Sequence, residues 1–188
     1  MLEAFAVSTL LVAVAEIGDK TQLLSLVLAA RFRQPLPIIA GIIVATLANH
    51  AVAAALGQWV HAALPAATLR WILGVSFLAV ALWAIKPDKL DGVAVEHGHR
   101  TVFVITTIAF FLAEIGDKTQ VATIMLAARF NSLVAVVAGT TLGMLAANVP
   151  AVLLGSAMTQ RLPLKAIRYV AALMFAALGV ATLLGYAL

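Results

Sequence analysis

Apolar residues run along this chain in long stretches separated by short polar breaks, without the strict alternation of a half-buried strand. Six of these stretches suit a bilayer core of about 30 Å, which a helix crosses in about 20 residues. They cover Ala4–Ala30, Leu36–Val60, Leu69–Ile85, Thr101–Ala128, Leu133–Met158 and Ala166–Leu188. Pro35, Pro37, Pro65, Pro87 and Pro163 fall at their ends, where a helix should stop. Pro150 lies inside the fifth and is expected to kink it. The pattern predicts an all-α membrane protein of six transmembrane helices.

The stretches repeat. Ala15–Phe32 (AEIGDKTQLLSLVLAARF) returns 98 residues later as Ala113–Phe130 (AEIGDKTQVATIMLAARF). The same offset aligns Gly41 with Gly139, Gly57 with Gly155, Pro65 with Pro163 and Arg70 with Arg168 without a gap. A whole unit is therefore duplicated. Residues 1–85 form the first three-helix repeat and residues 101–188 the second. The polar stretch Lys86–Arg100 (KPDKLDGVAVEHGHR) links them. Three spans per unit is an odd number, so the second repeat should enter the membrane upside down, a plan common among secondary transporters. Arg31, Arg33, Lys86, Lys89, Arg100, Arg161, Lys165 and Arg168 then share one side, and only Arg70 and Arg129 the other. The positive-inside rule puts the linker in the cytoplasm and both termini outside.

Composition narrows the class further. The 188 residues are 64% hydrophobic and 11% charged, whereas soluble domains carry about a quarter charged residues. A net charge of +4 does not point to nucleic acid, because the basic residues sit mostly at the ends of apolar runs and form no stripe. The chain has no cysteine, which excludes disulfides and thiolate metal sites. The first apolar run starts almost at Met1, lacks a basic leader and contains Glu16, Asp19 and Lys20. It is expected to remain in the mature protein.

The candidate chemistry lies in the middle of the first and fourth spans. A charge at that depth costs about 2.5 kcal/mol or more even on the lenient insertion scale, so these groups should face a protein interior or a water-filled cavity. In an inverted pair, the helices carrying Glu16–Gln22 and Glu114–Gln120 can cross and bring their motifs together. On a continuous helix Glu16 and Asp19 share a face, as do Glu114 and Asp117, and Lys20 and Lys118 follow the glutamates at ion-pair spacing. Gly18 and Gly116 permit close helix approach or a local break. Four carboxylates and two ammonium groups leave a net charge of −2, matched by one divalent cation or two protons. That balance suggests exchange of one for the other at a shared carboxylate site.

Glu16, Asp19, Glu114 and Asp117 are thus the candidate metal ligands. Oxygen ligands favour hard ions such as Ca²⁺, Mn²⁺ or Mg²⁺. Thr21, Gln22, Thr119, Gln120, Lys20 and Lys118 are candidates for additional ligands or a proton path. So are Asn49, His50 and Asn148, mid-span in the second and fifth stretches; the offset pairs Asn148 with His50. The imidazole, or the sulfur of Met144, would tilt the site toward Mn²⁺. Each has a plainer reading as well. The acids and lysines could form a structural ion-pair network, the lysines could snorkel, and the amides could be hydrogen-bonding glue between helices. Glu96, His97 and His99 read as a solvated loop or a metal-sensing patch, and Trp59, Trp71 and Trp83 as interfacial anchors.

The doubled motif, Glu16-Ile17-Gly18-Asp19-Lys20-Thr21 and Glu114-Ile115-Gly116-Asp117-Lys118-Thr119, resembles uncharacterised protein family 0016, which includes the Golgi transmembrane protein 165 and bacterial manganese exporters. The resemblance covers essentially the whole chain. It implies cation/proton antiport of Mn²⁺ or Ca²⁺ with the four acids as carriers and, for a chain of bacterial size, manganese export across the inner membrane. No enzymatic activity and no resident cofactor are expected. The partners are the cation, protons and lipid, and a homodimer is left open. A passive divalent-cation channel is the alternative function. An intramembrane enzyme would need a nucleophile, and none stands beside His50, the one mid-span candidate base.

Overall fold

In the computed structural model, the described residues are 1–87, 101–155 and 163–185. Most of the expected linker, with Glu96, His97 and His99, lies outside them. The described residues form eight helices: α1 (Leu2–Glu16), α2 (Lys20–Phe32), α3 (Pro35–Ala63), α4 (Ala66–Ala84), α5 (Val102–Glu114), α6 (Lys118–Phe130), α7 (Leu133–Leu154) and α8 (Leu164–Leu183). Four of them, α3, α4, α7 and α8, are long and apolar enough to cross a bilayer alone. The molecule is an all-α, multi-pass membrane protein.

The continuous helices expected over Ala4–Ala30 and Thr101–Ala128 are each two helices. The cause is local. Gly18 and Gly116 have φ of 81° and 73°, values glycine takes at little cost and other residues rarely adopt. The neighbouring isoleucines, Ile17 and Ile115, are extended, as are Asp19 and Asp117, which cap the second half-helices. The amide N–H of Gly18 donates to Gln22 Oε1 at 2.8 Å, and that of Gly116 to Gln120 Oε1 at 2.8 Å. Each break is thus stitched by the glutamine four residues on. The outer ends also match: Arg33 (φ 52°) and Asn131 (φ 46°) close α2 and α6 in the left-handed conformation.

An unbroken helix from the other half of the chain lies along each broken one. α7 runs beside α1 and α2, with Gly139 against Phe5 and Ser8, Gly143 against Thr9 and Val12, and Ala147 bonded to Gln22. α3 runs beside α5 and α6, with Gly41 against Phe103 and Thr106, Asn49 bonded to Gln120, and Gly57 against Ile124 and Ala127. A side chain at Gly41 or Gly139 would overlap the backbone carbonyl of Phe103 or Phe5, respectively. Small residues here do what they do between membrane helices generally, letting backbones touch where burial of apolar surface gives little drive. α4 packs on α8, with Gly74 facing Gly179. Trp59, Trp71 and Trp83 point outward, consistent with an anchoring role. α7 continues through Pro150 but ends at Leu154, short of the expected Met158, because Gly155 turns the chain at φ 66°.

Candidate functional site

Both helix breaks deliver their acids to the protein interior. Glu16 is the last residue of α1 and Glu114 the last of α5, and both are fully buried. Asp19 and Asp117, at the first turns of α2 and α6, are buried too. Helix N-termini favour negative charge and C-terminal carbonyls favour cations, so each break presents both polarities at one depth. Carboxylate oxygens of Glu16, Asp19 and Asp117 lie within 4.8 Å of one another. Glu114 stands outside that triplet but close enough to Glu16 for their charges to interact.

Both lysines pair with the opposite motif. Lys20 sits 3.3 Å from Asp117, and Lys118 pairs with Asp19, so each ammonium bridges to the opposite motif. The i to i+4 pairing expected on an unbroken helix is lost because the turn between Glu16 and Lys20 is not helical. The four acids and two lysines together leave two more negative than positive charges in the cluster. Thr21 Oγ donates to Glu16 Oε2, and Thr46 Oγ to Glu114 Oε1 at 3.2 Å. The other oxygens, Glu16 Oε1 and Glu114 Oε2, are buried with no hydrogen-bond partner among the described residues. A buried carboxylate oxygen left so is costly and calls for a proton, a water or a cation.

The remaining candidates divide. Thr119 Oγ donates to Asp117 Oδ2 at 3.0 Å and so faces the acids. Gln22 Nε2 donates to the Ala147 carbonyl at 3.0 Å and Gln120 Nε2 to Asn49 Oδ1, which ties each half-helix to its neighbour. Asn49 Nδ2 donates to the Phe111 carbonyl at 3.4 Å. Asn148 accepts from Ser25 Oγ at 2.8 Å and donates to the Met144 carbonyl at 3.0 Å. All four amides are thus engaged in hydrogen bonds. His50 is fully buried, and neither ring nitrogen has a partner among the described residues. Thr46 and Ser25 were not anticipated from sequence. Thr46 aligns with Met144, so the repeat hides it, whereas Ser25 aligns with Thr123 and its hydroxyl does recur.

The arrangement is a buried, oxygen-lined centre with two more negative than positive charges, suited to a hard divalent cation. Comparison with known proteins points the same way. The family described as "Divalent cation/proton antiporter GDT1" matches at residues 4–92 and again at 102–187. A "Putative manganese exporter" of Vibrio cholerae serotype O1 is 54% identical over 183 residues, covering 97% of this chain and 91% of that protein. A "GDT1-like protein" of Synechocystis sp. is 29% identical over 196 residues, covering 93% of this chain and 94% of that protein. No solved structure matches the chain.

Proposed function

The chain belongs to the divalent cation/proton antiporter family GDT1, and from that membership we propose that it exports Mn²⁺ from a bacterial cytoplasm in exchange for protons. The observation that carries the reading is the pair of orphaned oxygens, Glu16 Oε1 and Glu114 Oε2, in a buried cluster of four acids and two lysines. Glu16, Asp19, Glu114 and Asp117 hold the cation, and two protons replace it on the two glutamates, each of which has a carboxylate oxygen without a hydrogen-bond partner among the described residues. Manganese is preferred to calcium on the description of the Vibrio relative and on His50, a nitrogen donor near an oxygen site.

The topology proposed with it has six crossings: α1–α2, α3 and α4 in one repeat (residues 1–85), then α5–α6, α7 and α8 in its inverted copy (residues 101–188), joined by the linker 86–100. Supporting it, α7 runs alongside α1–α2 and α3 alongside α5–α6, while Arg33 ends α2 in the left-handed conformation just before α3 begins. The two broken helices then run in opposite directions with their breaks together. The excess of Lys and Arg on the linker side supports a cytoplasmic linker and external termini in the inner membrane. Rocking of the repeats about the acids would expose them to either side in turn. A passive channel would need both ends open together, and the close packing of α6 on α3 speaks against that.

Proteoliposomes carrying an internal proton dye test the proposal. An imposed proton gradient should drive Mn²⁺ movement in the opposite direction, and Glu16→Gln and Glu114→Gln should each slow it at least roughly a hundredfold, the loss of about 2.7 kcal/mol. Melting temperatures should hold or rise, since a buried charge is removed. Metal flux indifferent to the proton gradient would sink the antiport step.

A further inference from the structure

The two repeats are alike in sequence at their acids but not in the apolar residues that flank them. A cluster of buried apolar side chains gathers where α2 and α7 near their ends and α3 and α5 begin. It joins Leu24 of α2, Ile38 and Ile42 of α3, Phe110 of α5 and Val152 of α7, with smaller residues between them. Phe110 is fully buried and stands four residues before Glu114, one helical turn or about 6 Å along the axis. The offset of the repeats gives every member of this cluster a counterpart around the other half-helix, one turn before Glu16.

The counterparts are buried as well, yet they are smaller. Val12 stands at the repeat position of Phe110, Ala122 at that of Leu24, Thr140 at that of Ile42 and Ala54 at that of Val152. Across the nine buried residues of the cluster, the side chain is larger than its counterpart at six, identical at two and smaller at one, Ala109 against Leu11. Thr140 also brings a hydroxyl, bonded to the Val136 carbonyl at 2.8 Å, where the cluster has only the carbons of Ile42. Apolar constrictions bar ions and protons by excluding water, and a bulkier one wets less often. One side of the acid centre is therefore more heavily sealed than the other.

We propose that the Phe110 cluster is the proton barrier of the molecule, closing the acids off from the cytoplasm more firmly than the Val12 side closes them off from outside. On the transport reading above, on which this rests, α5 enters from the cytoplasm and protons arrive from outside. The Val12 side admits them to the glutamates. The Phe110 side stops them there until the repeats rock, so that no proton runs through without a cation leaving. Phe110 binds neither partner. It acts by keeping water out of the turn of α5 between Glu114 and the cytoplasm.

Phe110→Val and Ile42→Thr each install the residue that the other repeat carries at the same place. In proteoliposomes with an internal proton dye and no metal, each should raise proton entry several-fold, while Phe110→Leu, which keeps most of the apolar bulk, should stay near the unaltered protein. Of two barriers in series the higher sets the leak, so Val12→Ala should leave it unchanged. Phe77→Val opens a similar cavity in a fully buried part of α4 and should not leak either. A leak in neither swap, or an equal leak in Val12→Ala or Phe77→Val, overturns the barrier. Because the chain has no cysteine, single reporters give the sidedness. In vesicles of known orientation a membrane-impermeant maleimide should reach Ala113→Cys from the cytoplasmic face roughly tenfold more slowly than it reaches Ala15→Cys from the outer face. Equal rates, or the reverse order, refute the asymmetry. Neither readout needs a moving metal, so the two readings separate. Mn²⁺ flux with equal labelling removes the barrier and leaves transport standing, and the expected leak and labelling in a protein that moves no Mn²⁺ support the barrier and remove the transport reading.

Discussion

Lys20 and Lys118 occupy the same place in the two motifs, but the side chain of Lys20 is 25% exposed and that of Lys118 only 4%. Removing one partner of a buried pair strands the other charge away from water, at about 3–5 kcal/mol. Lys118→Met should therefore lower the melting temperature in detergent more than Lys20→Met, and adding Asp19→Asn should recover most of the loss. Similar shifts for both lysines would mean that their burial does not govern the pairs. His50 is the other residue whose surroundings decide its role. It lies one turn from Thr46, which bonds Glu114, and where the other repeat carries Asn148. His50→Asn copies a residue the fold already accepts there, and should cut the preference for Mn²⁺ over Ca²⁺ roughly tenfold, equivalent to about 1.4 kcal/mol. A competition flux assay with an unchanged ratio would remove His50 from selectivity. The four acids could be read from the sequence because a charge in an apolar run is conspicuous, and doubly so when it recurs. Their partners could not. Helical spacing gave each lysine a neighbour in its own motif, and only the non-helical turn at Gly18 and Gly116 frees it to reach across.

At the scale of elements, the breaks in the two motif helices were the least legible feature. A hydropathy pattern treats Ala4–Ala30 as one run, and nothing in its average distinguishes a helix from two half-helices joined by three non-helical residues. The glycines were the available signal, and they were equally compatible with close packing. Their backbone now separates those roles. Alanine at φ near +80° costs about 1–2 kcal/mol wherever it stands. At Gly18 its Cβ would also come within 2.9 Å of the Leu164 side chain, whereas at Gly116 it meets nothing. Gly116→Ala should thus lose stability by the backbone cost alone and Gly18→Ala by more, as read from thermal melts of the two variants. The reverse order would show that the contact with Leu164 yields freely. The outer helix ends were easier to foresee, since the prolines at 35, 65 and 163 sit at or beside helix starts.

For the whole molecule, duplication was legible because an ungapped offset needs no physics to detect, and the apolar runs announced an all-helical membrane protein. How the halves hold one another was not, since contacts between residues far apart in sequence leave no local pattern. The packing makes each half depend on the other: α7 supports α1 and α2, α3 supports α5 and α6, and α4 rests on α8. Neither half buries its own acids. Residues 1–93 expressed alone should be degraded or aggregate, as should residues 94–188, while the two expressed together should assemble and restore metal export. An independently stable half, detected by a cooperative melt of its own, would contradict this dependence. The reciprocal bridges, Lys20 to Asp117 and Lys118 to Asp19, also bear on ancestry. One contact is the other with the repeats exchanged, so on the proposed inverted topology a single three-helix polypeptide inserted in both orientations would satisfy itself by the same pairing. The centre is self-complementary in the way a palindrome is, and it could have worked as a pair of identical chains before the gene was ever doubled. On that reading, His50 at the position of Asn148 and Thr182 at the position of Ala84 mark where the two copies have diverged since.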